Sequence, residues 1–397
     1  MEKYKMHVPD GVEDCLPAEC YIKKSMEGAL RKSFILSGYD EIETPTYEHL
    51  DVFQSGVGSY IQESMIKFVD TNGRILVLRP DLTVPIARVA ATKLHSMPQR
   101  LFYIQNSFAS AEPAIGKAGE FTQAGIELIG DESNSADAEV IALAVKALKT
   151  AGLKSFTIDI GQVAFFKALI SESGLKDSDI DVMRHAVDSK DKMAIEALSK
   201  QLNLNEELTK QIMALPDLFG GSEVFDKALA LSNRPDCIAA VENLRNVYTL
   251  LNEYGLIEYI TIDLGMLHDI AYYSGIIFRG LATGIGFPVV SGGRYDDLLG
   301  KFGKSAPATG FALGIKRIMI AMERQGLLSG YYETDAVVSC AAQSCGVAYA
   351  FAESMRSQEK RAVFISGLDI GSLLKEKERL SAKEAVYFDE NGCLQTL

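Results

Sequence analysis

Cationic excess is missing from this chain. Its 397 residues carry 40 lysines and arginines against 53 aspartates and glutamates, a formal net charge of −13. A surface of that sign repels phosphate backbones, which argues against bulk nucleic-acid binding and leaves room only for a local basic patch. No apolar run reaches the ~18 residues of a membrane span. The opening stretch MEKYKMHVPDGVEDCLP has no apolar signal core, so a cytoplasmic protein without a membrane partner is expected. The six cysteines (Cys15, Cys20, Cys237, Cys340, Cys345 and Cys393) hold no C-x-x-C pair, and the five histidines no H-E-x-x-H. That argues against a disulfide framework and a structural zinc; buried or idle thiols are the reading, with no metal and no cofactor expected. G-x-S-x-G is absent, so no hydrolase nucleophile is marked. GKFGKS at Gly300–Ser305 fails as a P-loop, because Leu298 stands where the first glycine belongs. TGIGFP has no helix start behind it, which removes a dinucleotide loop. Finally, no arginine occurs between Arg100 and Arg184.

What is present reads as a soluble globular protein of two or three domains, with 47% hydrophobic and 23% charged residues. PAECYIKKSMEGALRKSFILSGYD has helical spacing and stops at Gly38. EIETPTYEHLD reads as a strand with Pro45 inside it, hence at an edge or interface. GRILVLRPDLT runs into a helix, TVPIARVAATKLH. RLFYIQNSFAS and EFTQAGIELIG are two strands joined by a Gly/Ala/Pro loop. SADAEVIALAVKALKTAG is an amphipathic helix that Ser135 can cap and Gly152 can end. From about Val163 to Tyr254 helical patterns dominate and strand signals vanish. Strands return at EYITIDLG, SGIIFRGLA and GFPVVSGG, and TGFALGIKRIMIAMERQ is a strand feeding a helix. The tail alternates strand, helix, strand. The expected class is α+β: a mainly antiparallel sheet flanked by helices over 1–325, a helical insertion over about 163–254, and a small C-terminal α/β domain over 335–397.

Several segments carry candidate chemistry. RPDLT ends a strand with a cation, a carboxylate and a hydroxyl. Asp81 there can receive an amino acid's ammonium; equally, Asp81 or Thr83 can cap the following helix. In FTQAGIE, Gln123, Gly125 and Glu127 share a strand face, and the gap at Gly125 leaves room for a small ligand; the alternative is a solvated sheet face. Tyr272 and Tyr273 precede Gly275, and Tyr295 follows Gly292, Gly293 and Arg294 in SGGRYDD. Tyrosines near glycine turns wall small-ligand sites, although neighbours on a strand face opposite ways and one of the adjacent pair then belongs to the core.

Taken in order, PDGVEDCLP, IETPTYE, RPDLT, FTQAGIELIG, YYSGIIF, GGRYD and TGFALGIKRI resemble the class II aminoacyl-tRNA synthetase fold, and within it histidyl-tRNA synthetase. The resemblance covers nearly all of the first ~325 residues, with consistent spacing. It implies that IETPTYE is the dimer-forming motif 1, that the two strands around the Gly/Ala/Pro loop are motif 2, and that TGFALGIKRI is motif 3.

The departures carry as much information. An active histidyl-tRNA synthetase has an arginine directly after the motif 2 phenylalanine and a glutamate two residues later. Here Phe108 is followed by Ala109, Ser110 and Ala111, and Glu112 is one place off. A second arginine belongs to an R-G-L-D-Y-Y pattern; this chain has HDIAYY, with His268 in the arginine's place and Ala271 in the aspartate's. Lys117 and Arg317, the motif 3 arginine, are the basic positions that persist. Removing one such transition-state donor costs on the order of 10²–10³ in rate, so no catalytic role is expected. By contrast, Asp81, Thr83, Gln123, Glu127, Tyr272, Tyr273 and Tyr295 fall on the part of the pattern that forms the pocket for histidine. This combination resembles the regulatory subunits of ATP phosphoribosyltransferase, synthetase-like paralogues that partner a short-form catalytic subunit. The resemblance implies a homodimer within a larger hetero-oligomer, activation of that partner, and L-histidine as feedback effector in histidine biosynthesis. The alternatives are an active histidyl-tRNA synthetase and a synthetase-like binding module for another partner.

Overall fold

The structure, a computed structural model, describes residues 6–54, 65–110, 119–267, 272–328, 330 and 332–397. Contacts divide the chain into two compact units, Met1–Cys15 with Lys23–Leu328, and Leu16–Ile22 with Ser329–Leu397.

In the large unit, nine strands among the described residues form one sheet. Edge to edge they are Asp40–Glu41, Gln99–Phe108, Glu120–Ile129, Ala308–Gly314, Pro288–Arg294, Ile276–Ala282, Phe156–Gln162, Ile260–Asp263 and Phe219–Gly220. From Gln99–Phe108 to Phe156–Gln162 every neighbour is antiparallel. Parallel pairs occur toward the two edges. The expected strand around Pro45 is instead two short pieces. Asp40–Glu41 lies at the edge of the large sheet, and Tyr47–His49 at the edge of a three-stranded sheet with Lys67–Val69 and Ile75–Leu78. Proline has no N–H for a ladder, so side chains replace it. Thr44 N donates to Gln105 Oε1 at 3.3 Å, and Thr44 O accepts from Arg79 Nη1 at 2.6 Å.

The helix Asn134–Thr150 lies against the strands Glu120–Ile129, Pro288–Arg294 and Ala308–Gly314, burying Val140, Ile141, Ala144, Val145 and Leu148. Its cap is Ser133 rather than the expected Ser135: Ser133 Oγ accepts from Ala136 N at 3.3 Å. Both serines fit the cap pattern; the backbone decides, since Ser133 has extended φ/ψ and Ser135 is already helical. Ser133→Ala is expected to cost about 1 kcal/mol of stability, read as a lower urea midpoint with an unchanged slope.

Between Val163 and Tyr254 the elements are helices, with one exception. Phe219–Gly220 forms a two-residue strand that pairs antiparallel with Ile260–Asp263. Two residues are too short to show a period of two in a sequence. The small unit is a four-stranded sheet in the order Ala362–Phe364, Ala336–Cys340, Glu384–Phe388, Leu394–Thr396, with the first two neighbour pairs parallel. Helices Cys345–Ser357 and Ile370–Arg379 belong to it, the second being one that the strand–helix–strand reading lacked.

Candidate functional site

A cavity of about 360 Å³ opens where Glu120–Ile129, Ala308–Gly314 and Pro288–Arg294 run side by side. Asp81, Thr83, Gln123, Glu127, Tyr272, Tyr273 and Tyr295 all line it. Ala109 does not; its N–H donates to Gly119 O at 3.0 Å, closing the end of the hairpin ladder. Ala111 and His268 lie outside the described residues.

Glu127 is the centre of the arrangement. It is 1% exposed, which removes the solvated-face alternative. Thr83 Oγ1 donates to its Oε1 at 2.8 Å, and Tyr295 Oη donates to its Oε2. The antiparallel register sets Gly310 opposite Glu127, and that glycine is obligatory: a Cβ there would sit 2.0 Å from Glu127 Oε2 and 2.4 Å from Ile126 O. Burial pushes the Glu127 carboxyl up to about 8, with the Asp81 charge adding to it and the two hydroxyl donors opposing it. Asp81 takes the helix-start role and also faces the cavity. Its Oδ1 accepts from Val84 N at 3.1 Å, holding the start of the helix Thr83–Lys93, and it lines the cavity. Loss of solvent raises it to about 6, the Val84 hydrogen bond opposing.

Two expectations change. The gap expected at Gly125 is filled: Tyr103 lies directly across the ladder, and a Cβ on Gly125 would meet Tyr103 Oη at 2.5 Å. The glycine therefore admits a tyrosine, and the ligand space lies beside it. Tyr272 and Tyr273 also depart from strand alternation, because both precede the strand Ile276–Ala282. Both are buried and both line the cavity, with ring centroids 5.2 Å apart; Tyr272 and Tyr295 are 5.8 Å apart. Lys167 Nζ donates to Tyr273 O at 2.8 Å, holding this turn. Gln123 Oε1 accepts from Ser107 Oγ at 2.7 Å, tying the two hairpin strands at the cavity.

Tyr103, Phe121, Ser291 and Arg317 also line the site. Tyr103 was hidden in an apolar run, and only strand register places it against Gly125. Arg317 is the cation among the described lining residues; its Nη1 donates to Pro288 O at 3.0 Å and its guanidinium lies 5.6 Å from the Phe287 ring centroid. Arg294 is structural instead, buried and bonded through Nε to both carboxylate oxygens of Asp137 at 3.1 and 3.0 Å. Chemically, the cavity joins two carboxylates of raised pKa, tyrosine faces and an arginine. That set suits a small zwitterion with a flat side chain.

The carboxylates predict a pH dependence. A carboxyl whose folded pKa lies above its unfolded value binds more protons folded than unfolded, so stability falls as pH rises between the two. For Glu127 that window is 4.5 to about 8, and for Asp81 it is 3.8 to about 6. Thermal midpoints should therefore decline from pH 5 to pH 8, and Glu127→Gln should remove most of the decline above pH 6, worth a few kcal/mol. An unchanged slope in that variant would rule out a protonated Glu127.

Comparison with known proteins agrees with this architecture. A sequence model of the family described as histidyl-tRNA synthetase matches residues 11–318. The ATP phosphoribosyltransferase regulatory subunit of Acetivibrio thermocellus is 47% identical over 360 residues, covering 90% of this chain and 86% of that one. A crystal structure described as an ATP phosphoribosyltransferase regulatory subunit/histidyl-tRNA synthetase from Bacillus halodurans superimposes with a TM-score of 0.84 at 32% identity, over 97% of this chain and 99% of that one. Histidyl-tRNA synthetase from Nostoc sp. PCC 7120 gives a TM-score of 0.84 at 19% identity, over 100% of this chain and 97% of that one, a likeness of fold alone. The expected α+β, class II synthetase-like fold is thus borne out. With its sheet and its relatives in agreement, the chain belongs to the family of ATP phosphoribosyltransferase regulatory subunits, built on the histidyl-tRNA synthetase fold.

Proposed function

We propose that this chain is a non-catalytic allosteric subunit that activates a short-form ATP phosphoribosyltransferase catalytic subunit and carries feedback inhibition by L-histidine. The observation that carries the reading is a contrast within one hairpin. Glu127 and Gln123 line the cavity with the tyrosines, while the strand end at Phe108, Ala109 and Ser110 offers no cation. Amino-acid recognition is kept where the electrostatic means of stabilising a phosphoryl transition state is reduced.

In this reading the histidine ammonium sits against Asp81 and Glu127, and its binding displaces the Glu127 proton. Gln123, its carbonyl oxygen engaged by Ser107, offers its amide nitrogen as a donor. Tyr272, Tyr273 and Tyr295 flank the imidazole. Inhibition then requires that histidine bind the inhibited state of the assembly more tightly than the active one. The motif 1-like segment around Pro45 supplies the homodimer contact within the hetero-oligomer.

The test is to assay a short-form catalytic subunit alone, with this chain, and with this chain plus histidine. The rate should rise on adding the chain and fall again on adding histidine. No change at either step overturns the proposal, and histidine-dependent ATP–pyrophosphate exchange by the chain alone would make it a synthetase.

A further inference from the structure

The pocket uses no cysteine, yet two cysteines meet elsewhere. Cys340 ends the strand Ala336–Cys340, and Cys345 opens the helix Cys345–Ser357. Four residues separate them, a spacing that matches no redox motif. The turn between them nevertheless brings the side chains together: Cys340 Sγ donates to Cys345 Sγ at 3.3 Å, and both are free thiols.

That turn is anchored on several sides. Ala341 N donates to Phe388 O at 2.8 Å, Ser344 N to Ala341 O at 3.0 Å, and Gly367 N to Cys340 O at 3.3 Å. Ser344 Oγ donates to Asp389 O. A bond requires the sulfurs to approach from 3.3 Å to about 2.05 Å. The two sulfurs differ in access. Cys340 is 1% exposed, within a cluster that includes Ala348, Ala352, Met355 and Phe388. Burial, and then its contact with Cys345, push its thiol up. Cys345 is partly exposed, so an oxidant in solution reaches it first.

We infer that Cys340 and Cys345 form an oxidisable dithiol, a modification site that a hydroperoxide closes to a disulfide. In the first step the Cys345 sulfur attacks the terminal oxygen of the hydroperoxide. The O–O bond breaks, the alcohol or water leaves, and Cys345 becomes a sulfenic acid. In the second step the Cys340 sulfur attacks the Cys345 sulfur and displaces the hydroxyl, which departs as water with the Cys340 proton. Two thiols lose two electrons and two protons, and the hydroperoxide is reduced to an alcohol and water (two waters from hydrogen peroxide). The bond ties the end of a strand to the start of the next helix, and a small thiol reverses it.

The experiment treats the whole chain with hydrogen peroxide, blocks remaining thiols with N-ethylmaleimide, and maps the peptides by mass. The expected product is a linked Cys340–Cys345 peptide, lighter by two hydrogens than the reduced form and opened by dithiothreitol. Cys340→Ser should instead leave Cys345 as a sulfenic acid that dimedone traps, and Cys345→Ser should abolish the link. If either variant fails to fold, the wild-type map decides. Recovery of both cysteines as maleimide adducts after treatment overturns the inference. So does advance of Cys345 to a sulfinic acid while Cys340 remains open to alkylation.

Discussion

Glu127→Ala should weaken L-histidine binding by roughly 30- to 1,000-fold, the loss of about 2–4 kcal/mol that follows when a buried charged hydrogen-bond partner is deleted. Glu127 is the acceptor at the centre of the site, held by Thr83 and Tyr295 and facing Gly310 across the ladder. Alanine removes the carboxylate and leaves both hydroxyls without that acceptor. Glu127→Gln separates the two effects, since an amide keeps the shape and one acceptor but cannot ionise. Calorimetric titration with histidine in two buffers of different protonation enthalpy adds a further readout. With wild type near pH 7, binding should release a proton, because a cationic ammonium lowers a carboxyl otherwise held at about 8. With Glu127→Gln that release should largely vanish. In the assembled complex, the comparison that decides is between inhibition and activation. Loss of histidine inhibition ahead of activation marks a ligand residue. Equal loss of both would make Glu127 a structural one and sink this part of the proposal.

Arg294→Met is expected to lower stability by about 3–5 kcal/mol, the usual cost of leaving one member of a buried ion pair alone. The guanidinium Nε donates to both Asp137 carboxylate oxygens at 3.1 and 3.0 Å, and Nη1 reaches Asp131 O at 3.1 Å and Asp296 Oδ1 at 3.2 Å. Arg294 is 7% exposed and Asp137 is 1% exposed, so water cannot replace the lost partner. Burial raises the Asp137 carboxyl even with Arg294 opposing it. Without the arginine it rises further, and the variant's deficit should grow as pH climbs from the wild-type Asp137 pKa toward the variant's higher one and shrink toward acid, where a proton neutralises the group. Urea unfolding at two pH values reads both effects. Adding Asp137→Leu should recover much of the loss, because an apolar pair tolerates the same site better than a lone charge. A single variant within 1 kcal/mol of wild type, or a double variant no better than the single, would show that the pair is not what holds this corner.

Much of the pocket could be read before any coordinates. Asp81, Thr83, Gln123, Glu127, Tyr272, Tyr273 and Tyr295 come from four separated stretches, and all line one cavity. They were legible through the resemblance to histidyl-tRNA synthetase, whose motifs can be matched in order along the chain without knowledge of strand pairing. Tyr103 was not legible, because its role depends on lying opposite Gly125, and a single sequence does not reveal register. The same holds for Gly310 against Glu127. Arg294 looked like part of a ligand motif, yet its partner Asp137 lies 157 positions away on another element.

By itself, the sequence determined the strand and helix alternation, the helical stretch after Val163, the acid and tyrosine set of the pocket, and Ala109 after Phe108. The alternation and the helical stretch are local properties, written in periodicity; the pocket set and the meaning of Ala109 came through the family resemblance that the ordered motifs carry. Only the tertiary structure decided which serine caps the helix Asn134–Thr150, how Pro45 divides its strand, what fills the space at Gly125, and that Cys340 meets Cys345. It also decided that Glu127 is buried. Burial is a property of everything packed around a residue, and it is what turns an ordinary glutamate into one that holds its proton near neutral pH.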